Sequence, residues 1–382
     1  DITEASGSLS VGVSGITTNG SASVILDAAQ ALNINAPITT GGLVELSALG
    51  AISNNVSGVI TAGVLDTASS GDTTLTGANN VGSFTAINNG TSGDISISAT
   101  GPLDVAAGNI TNNVGNVTLN VGGAITQTGT IVTNTLSTSS DGGATLTGAN
   151  DVGSFTATNT SSGDISLRTT GQVDVAAAGI SNSAGDVILN AGGAITQTGI
   201  IDTSGTLNTT SVGGATLNLG NSVGGFTASN TVSGDISLTT TGALAVTAAG
   251  ISNNVGNVTL TAESGGLSVE AGAAGAAGLG ISADGGTVEL IADAIALNAV
   301  LDTLPTGGAV VLRPFTNTLA ISLESGSGLL LTQLDIDQVS SAVLTLGAGS
   351  HTGDINLNAD IAFGTARSRM ELLTSGAGRV VG

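Results

Sequence analysis

Thr74-Leu-Thr-Gly-Ala-Asn-Asn-Val-Gly-Ser-Phe84 recurs at residues 145–155, with Asp151 for Asn80, and, more loosely, at 216–226. Leu75, Leu146 and Leu217 stand 71 residues apart, as do Phe84, Phe155 and Phe226. A long fixed period is the mark of a repeat architecture, in which each unit packs chiefly on its neighbours.

A shorter beat runs inside the long one: a Gly-polar pair, then an alternating strand. It appears as Gly93-Asp-Ile-Ser-Ile97, Gly115-Asn-Val-Thr-Leu119 and Gly142-Gly-Ala-Thr-Leu146, and the cycle then restarts. The last apolar residues of successive beats are Ile97, Leu119, Leu146, Leu167, Leu189, Leu217, Leu238 and Leu260, in steps of 21–28 residues. Successive strand side chains face opposite sides, so these residues share one face and the Ser, Thr and Asn between them the other. Helical spacing is not sustained, and 60 Gly with abundant Asn, Ser and Thr favour turns and strand ends.

A step of this length is too long for a hairpin and too short for a strand–helix–strand unit. It fits one coil of a right-handed parallel β-helix, a β-solenoid of about 16 coils stacked about 4.8 Å apart. The 71-residue unit then reads as a three-coil super-repeat. Inward Ile, Leu, Val and Ala form apolar columns, and outward Ser, Thr and Asn form polar ladders. Residues 130–141 and 200–212 share little beyond Thr, Ser and Asn richness, so they read as side loops outside the stack.

The chain of 382 residues reads as one elongated solenoid with irregular coils at 1–72, super-repeats at 73–262 and divergent coils at 263–382. Gly41-Gly-Leu-Val-Glu-Leu46 is the best beat before the core, echoed by Gly285-Gly-Thr-Val-Glu-Leu290, and Gly353-Asp-Ile-Asn-Leu357 restores the beat after it. Residues 270–281 are rich in Gly and Ala and read as a loose coil or bulging loop. No signal peptide is visible at Asp1, which already looks mid-pattern, so a mature or excised part of a longer protein is expected.

With no Cys, stability must come without disulfides. A net charge of −22, with five Arg and no Lys, makes nucleic acid a poor partner and keeps a β-rich surface soluble. No apolar run reaches the length of a membrane-spanning helix, so membrane insertion of this segment is not expected. Four Arg, at 313, 367, 369 and 379, lie outside the regular core, and Arg168 lies within a beat.

Candidate chemistry is sparse. Asp335 and Asp337 are two apart and, on one strand, would share a face as an acid–base pair. Yet Lys, Trp and Tyr, which serve sugar-binding surfaces, are missing, so a turn or exposed strand face is the expected role. His351 is the single His and reads as a surface or turn residue, since one His and no Cys make no metal cluster. Asp94, Asp164 and Asp235 recur too far apart to share an ion and read as turn residues bonding the local backbone. Thr239-Thr-Thr241 invites an ice-binding face, but the beat does not keep the same pair on every coil. Asn-x-Ser/Thr sequons at Asn55, Asn89, Asn109, Asn116 and Asn257 are expected by chance in such a composition. The reading carries no catalytic, cofactor or metal residue, and no enzyme.

The beats Gly-Asp-Ile-Ser-Leu and Gly-Gly-Ala-Ile-Thr-Gln-Thr-Gly, the latter at 122–129 and 192–199, resemble the filamentous-haemagglutinin-type exoproteins and giant adhesins of Gram-negative bacteria. So does the module Val310-Val-Leu-Arg-Pro-Phe315, Leu329-Leu-Leu-Thr-Gln-Leu-Asp-Ile336 and Leu344-Thr-Leu-Gly347. The resemblance is textural over the whole chain and closest to a motif over 309–357. It implies export to the cell surface or medium, a right-handed β-helical stalk, and a part in adhesion or biofilm. Host-surface or matrix glycans or proteins are the implied partners, beside self-association end to end or side by side. The family's N-terminal secretion domain has no counterpart here.

Overall fold

The computed structural model describes residues 1–271, 279–304, 306–362 and 369–382. The chain is an all-β parallel β-solenoid of about 17 turns, against the 16 expected, with almost no helix. Contacts divide it into two units, Asp1–Ile188 and Leu189–Gly382. Most of the Gly/Ala-rich stretch at 270–281 lies outside the described residues.

The alternation predicted for the beats is what builds the coils. In the strand Ile95–Ala99, Ile95, Ile97 and Ala99 are buried while Ser96 and Ser98 are half-buried on the outer side. All eight beat-ending residues, from Ile97 to Leu260, are at most 1% exposed. Each coil pairs in parallel with the next, so equal inward positions form columns. In the first unit one column runs Leu9, Leu32, Ile52, Thr73, Ile95, Val117, Leu136, Phe155, Val175. Another runs Val24, Val44, Leu65, Phe84, Val105, Gln127. The coils before residue 73 thus lack the tight repeat but join the same columns. Phe84 and Phe155 are fully buried, each contributing about 1.5–3 kcal/mol relative to exposure.

These columns correct the coil count of the super-repeat. Thr73 and Phe155 share the first column, whereas Phe84 lies in the second. Ala144, the counterpart of Thr73, stacks between Ile125 and Ile165, below Leu103 on the side of Phe84. Counterparts 71 residues apart therefore sit on opposite sides, and the unit spans three and a half coils rather than three. The missing half coil is in residues 130–141. The expected side loop is instead the strand Ile131–Ser140, paired with residues 110–120 on one side and 151–159 on the other. Residues 200–212 likewise hold a strand, Ile201–Ser211, paired with residues 222–230.

In the second unit, Leu217, Leu238, Leu260, Leu290, Leu312, Leu346 and Leu372 form one column. The beat at 353–357 leaves that stack. Its strand Ile355–Leu357 joins Ile321–Leu323, Leu329–Leu331 and Val380–Val381 in a separate four-stranded parallel sheet.

Candidate functional site

Asparagine stands in the outward ladders, as at Asn33 and Asn120, but it also sets the local geometry from the inside. Asn54, Asn79, Asn88, Asn112, Asn150, Asn159, Asn182, Asn221, Asn230 and Asn253 are all buried. The ladder between Leu75 and Asn79 is broken by a bulge that leaves carbonyls without strand partners. The Asn79 amide donates to the carbonyls of Leu75, Gly77 and Ser98, each at 3.0 Å, and its Oδ1 accepts from the Ile60 N–H at 3.0 Å. Asn150 and Asn221 repeat the arrangement at the matching bulges. A second set closes the Gly-Asp turns. Asn159 donates to the carbonyls of Ser162 and Gly163 and to Asn182 Oδ1 at 2.8 Å, one coil on. Asn230 and Asn253 do the same at 2.8 Å. A buried backbone polar group without a partner costs about 1–3 kcal/mol, so each amide is a structural clamp.

The recurrent aspartates are also structural, but they bond across coils rather than locally. Asp94 Oδ1 accepts the Asn116 N–H, Asp164 Oδ1 the Asp186 N–H and Asp235 Oδ1 the Asn257 N–H, all at 2.8 Å.

Asp335 and Asp337 do not share a strand. They lie on the one-turn helix Gln333–Asp337, where Thr332 and Asp335 form a capping box. The Asp335 carboxylate accepts from the Thr332 N–H at 2.9 Å, the Thr332 hydroxyl at 2.7 Å and the Leu297 N–H at 3.0 Å. Asp337 accepts from Gln333 Nε2 at 2.8 Å. These oxygens hold backbone and side chains in place.

His351 is the sharpest departure from expectation: it is 1% exposed, not a surface residue. Neither ring nitrogen has a hydrogen-bond partner. Burial pushes its pKa below the ordinary value of 6.5, and the Asn317 backbone opposes that in part. No sequence signal marked it, because residues 347–353 carry no periodicity.

The remaining singled-out residues are spread along the coils. Thr239-Thr-Thr241 is split: Thr240 is fully buried and donates to the Gly242 carbonyl at 2.9 Å, while Thr239 pairs outward with Thr261. Arg313 meets Glu289 at 2.7 Å, Arg369 pairs with Glu371, and Arg379 lies 3.6 Å from Asp354. Arg168 is exposed, and Arg367 lies outside the described residues. Among the sequons, Asn55 caps the N–H groups of Ser57 and Gly58, Asn109 accepts from the Thr130 N–H, and Asn257 from the Thr287 N–H. Asn89 and Asn116 are exposed. Asn109 has φ 70°, the left-handed region where its counterparts are Gly179 and Gly250.

Among the described residues no group of three or more His, Asp or Glu side chains is placed to hold a metal ion, and no helix is long and apolar enough to cross a membrane. A hollow of about 560 Å³ lies among Leu323, Leu357, Ile361, Met370 and Leu372, with Asp360 and Asn358 at its wall. Comparison with family models, with curated proteins and with solved structures finds no match.

Proposed function

We propose that this chain is a non-catalytic structural segment: a stiff stalk or passenger piece of a secreted, surface-exposed bacterial adhesin, working in adhesion or biofilm. The observation that carries the structural half is the internal clamping. Bulges and turns, where a chain would bend, are fastened by buried Asn amides to the adjoining coils. The adhesin half rests on the resemblance of the beats and of residues 309–357 to haemagglutinin-type exoproteins.

In cells carrying the protein, intact-cell protease treatment is expected to remove it from the surface. Adhesion is expected to survive Asp335→Asn but to fall with any variant that melts the coils. A polysaccharide-degrading activity lost in a folded Asp335→Asn chain would overturn this reading in favour of an enzyme. A second reading, a self-associating subunit of an extracellular filament or matrix, is favoured by the outward ladder of Ser, Thr and Asn that runs from Ser10 to Thr156 in the first unit.

A further inference from the structure

We infer that one outer face of the first unit is a contact surface for the same face of a second copy of this chain. This deepens the structural reading above and rests on it.

The face is built by strand pairing. Its central outward column runs Ser10, Asn33, Ser53, Thr74, Ser96, Thr118, Ser137, Thr156, one residue per coil over eight coils. Beside it, two residues along each strand, stand Ser98, Asn120, Ser139, Thr158 and Ser181. Every position in both columns is a hydroxyl or an amide. Glu45 and Asp66 stand on another side, in the column Ile25, Glu45, Asp66 and Thr85, with Asp104 nearby. Asp72, Asp94 and, paired with Ser154, Asp174 mark one margin of the neutral columns, and Asp72 and Asp94 each accept a backbone N–H from the next coil.

Three physical facts select a second copy as the occupant. The chain carries a net charge of −22, so two copies repel through any face rich in carboxylates. The neutral columns are the stretch of the unit where they approach without setting like charges against each other. Ser, Thr and Asn each carry donors and acceptors, so a row of them can bond its own image. Finally, only another β-solenoid offers partners at the same spacing of about 4.8 Å, so one good contact brings the rest of the row into step. A two-fold axis along the column puts Thr118 against Thr118 and carries the Asp72 and Asp94 margin away from its own image.

The absence of Cys makes the test clean. Thr118→Cys in the full chain is expected to form a disulfide-linked dimer under mild oxidation at least about tenfold faster than Asp104→Cys, a difference of about 1.4 kcal/mol. Sedimentation of the unmodified chain is expected to show more dimer at about 1 M than at about 0.05 M salt, because screening removes the repulsion. Ser96→Asp with Ser137→Asp is expected to weaken the dimer more than about tenfold at an unchanged melting midpoint. Equal cross-linking at both sites, a monomer at every salt concentration, or a dimer indifferent to the Asp pair would each overturn the inference. So would retention of a monomer on a neutral glucan matrix that the Asp pair abolishes, which assigns the face to sugar. A Thr118→Cys chain without the far-ultraviolet β signal would count against the solenoid itself.

Discussion

From Thr73 to Val175 the inner column advances by 19–22 residues per coil. From Leu290 to Leu372 the same kind of column advances by 22, then 34, then 26. The inward residues do the same work in both regions; the bends differ. In the regular region the bends are closed by Asn amides that reach the adjoining coils, and that device is repeated without change. In the later region the extra residues form the short helix and two strands of a separate sheet. There the buried polar groups among the described residues include Ser322, Ser341, Thr345 and His351, and the His351 ring has no partner. The regular coils are not perfect either, since the buried hydroxyls of Thr138 and Ser140 also lack partners. A column tolerates any bend; only a bend whose carbonyls are satisfied from within can be copied many times.

This contrast can be broken at several points. Leu119→Asp places a carboxylate in a fully buried column and is expected to cost more than about 4 kcal/mol, abolishing the cooperative melt of the regular coils. Survival of the thermal transition would show that the column is not the core. Asn150→Ala strips the carbonyls of Leu146, Gly148 and Arg168 and the Ile131 N–H of their partner. A loss of about 3 kcal/mol in denaturant unfolding is expected. Alanine at exposed Asn89 should leave the same measurement within about 0.5 kcal/mol.

His351 tests the other region through pH. Its imidazole is held neutral by burial, while the unfolded chain protonates near the ordinary value of 6.5. The unfolded state therefore binds more protons below that value, and stability falls as pH drops through it. The opening free energy of the strands Val343–Gly347 and Arg369–Leu373, read from hydrogen-exchange protection factors after correction for the intrinsic exchange rate at each pH, is expected to fall between about pH 7.5 and 5.5, by up to about 1.4 kcal/mol per pH unit. His351→Leu should remove that slope, and an opening free energy that kept its pH response would acquit the imidazole. The smallest effect belongs to a large deletion. Removing residues 74–144 joins Thr73 to Thr145, so every remaining strand meets a partner equivalent to its old one. The far-ultraviolet β signal and the melting midpoint should hardly change, whereas a molten product would refute the exchangeability of the repeats.

Much of this was legible in the chain, and the exceptions have physical causes. Ile97, Leu119 and their equivalents announce an inner face because a strand has a period of two and its apolar residues obey it. The strand Ile131–Ser140 hides because its inward Thr133, Thr138 and Ser140 break that signal, which is how half a coil went uncounted. Asn is at home in turns, so its inward positions could not be told from outward ones. Asp335 was readable: Thr332-Gln-Leu-Asp335 is a capping box, outvoted by the apolar alternation before it. His351 carried no pattern at all.

The half coil left over between Thr73 and Ala144 turns copy number into a rotary control within a stack of such repeats. One added copy swings everything after it through half a revolution, and a second brings it back. A lineage that gains or loses single copies would thereby change which way the neighbouring coils of the stack look, with no change to a single side chain and almost none to stability.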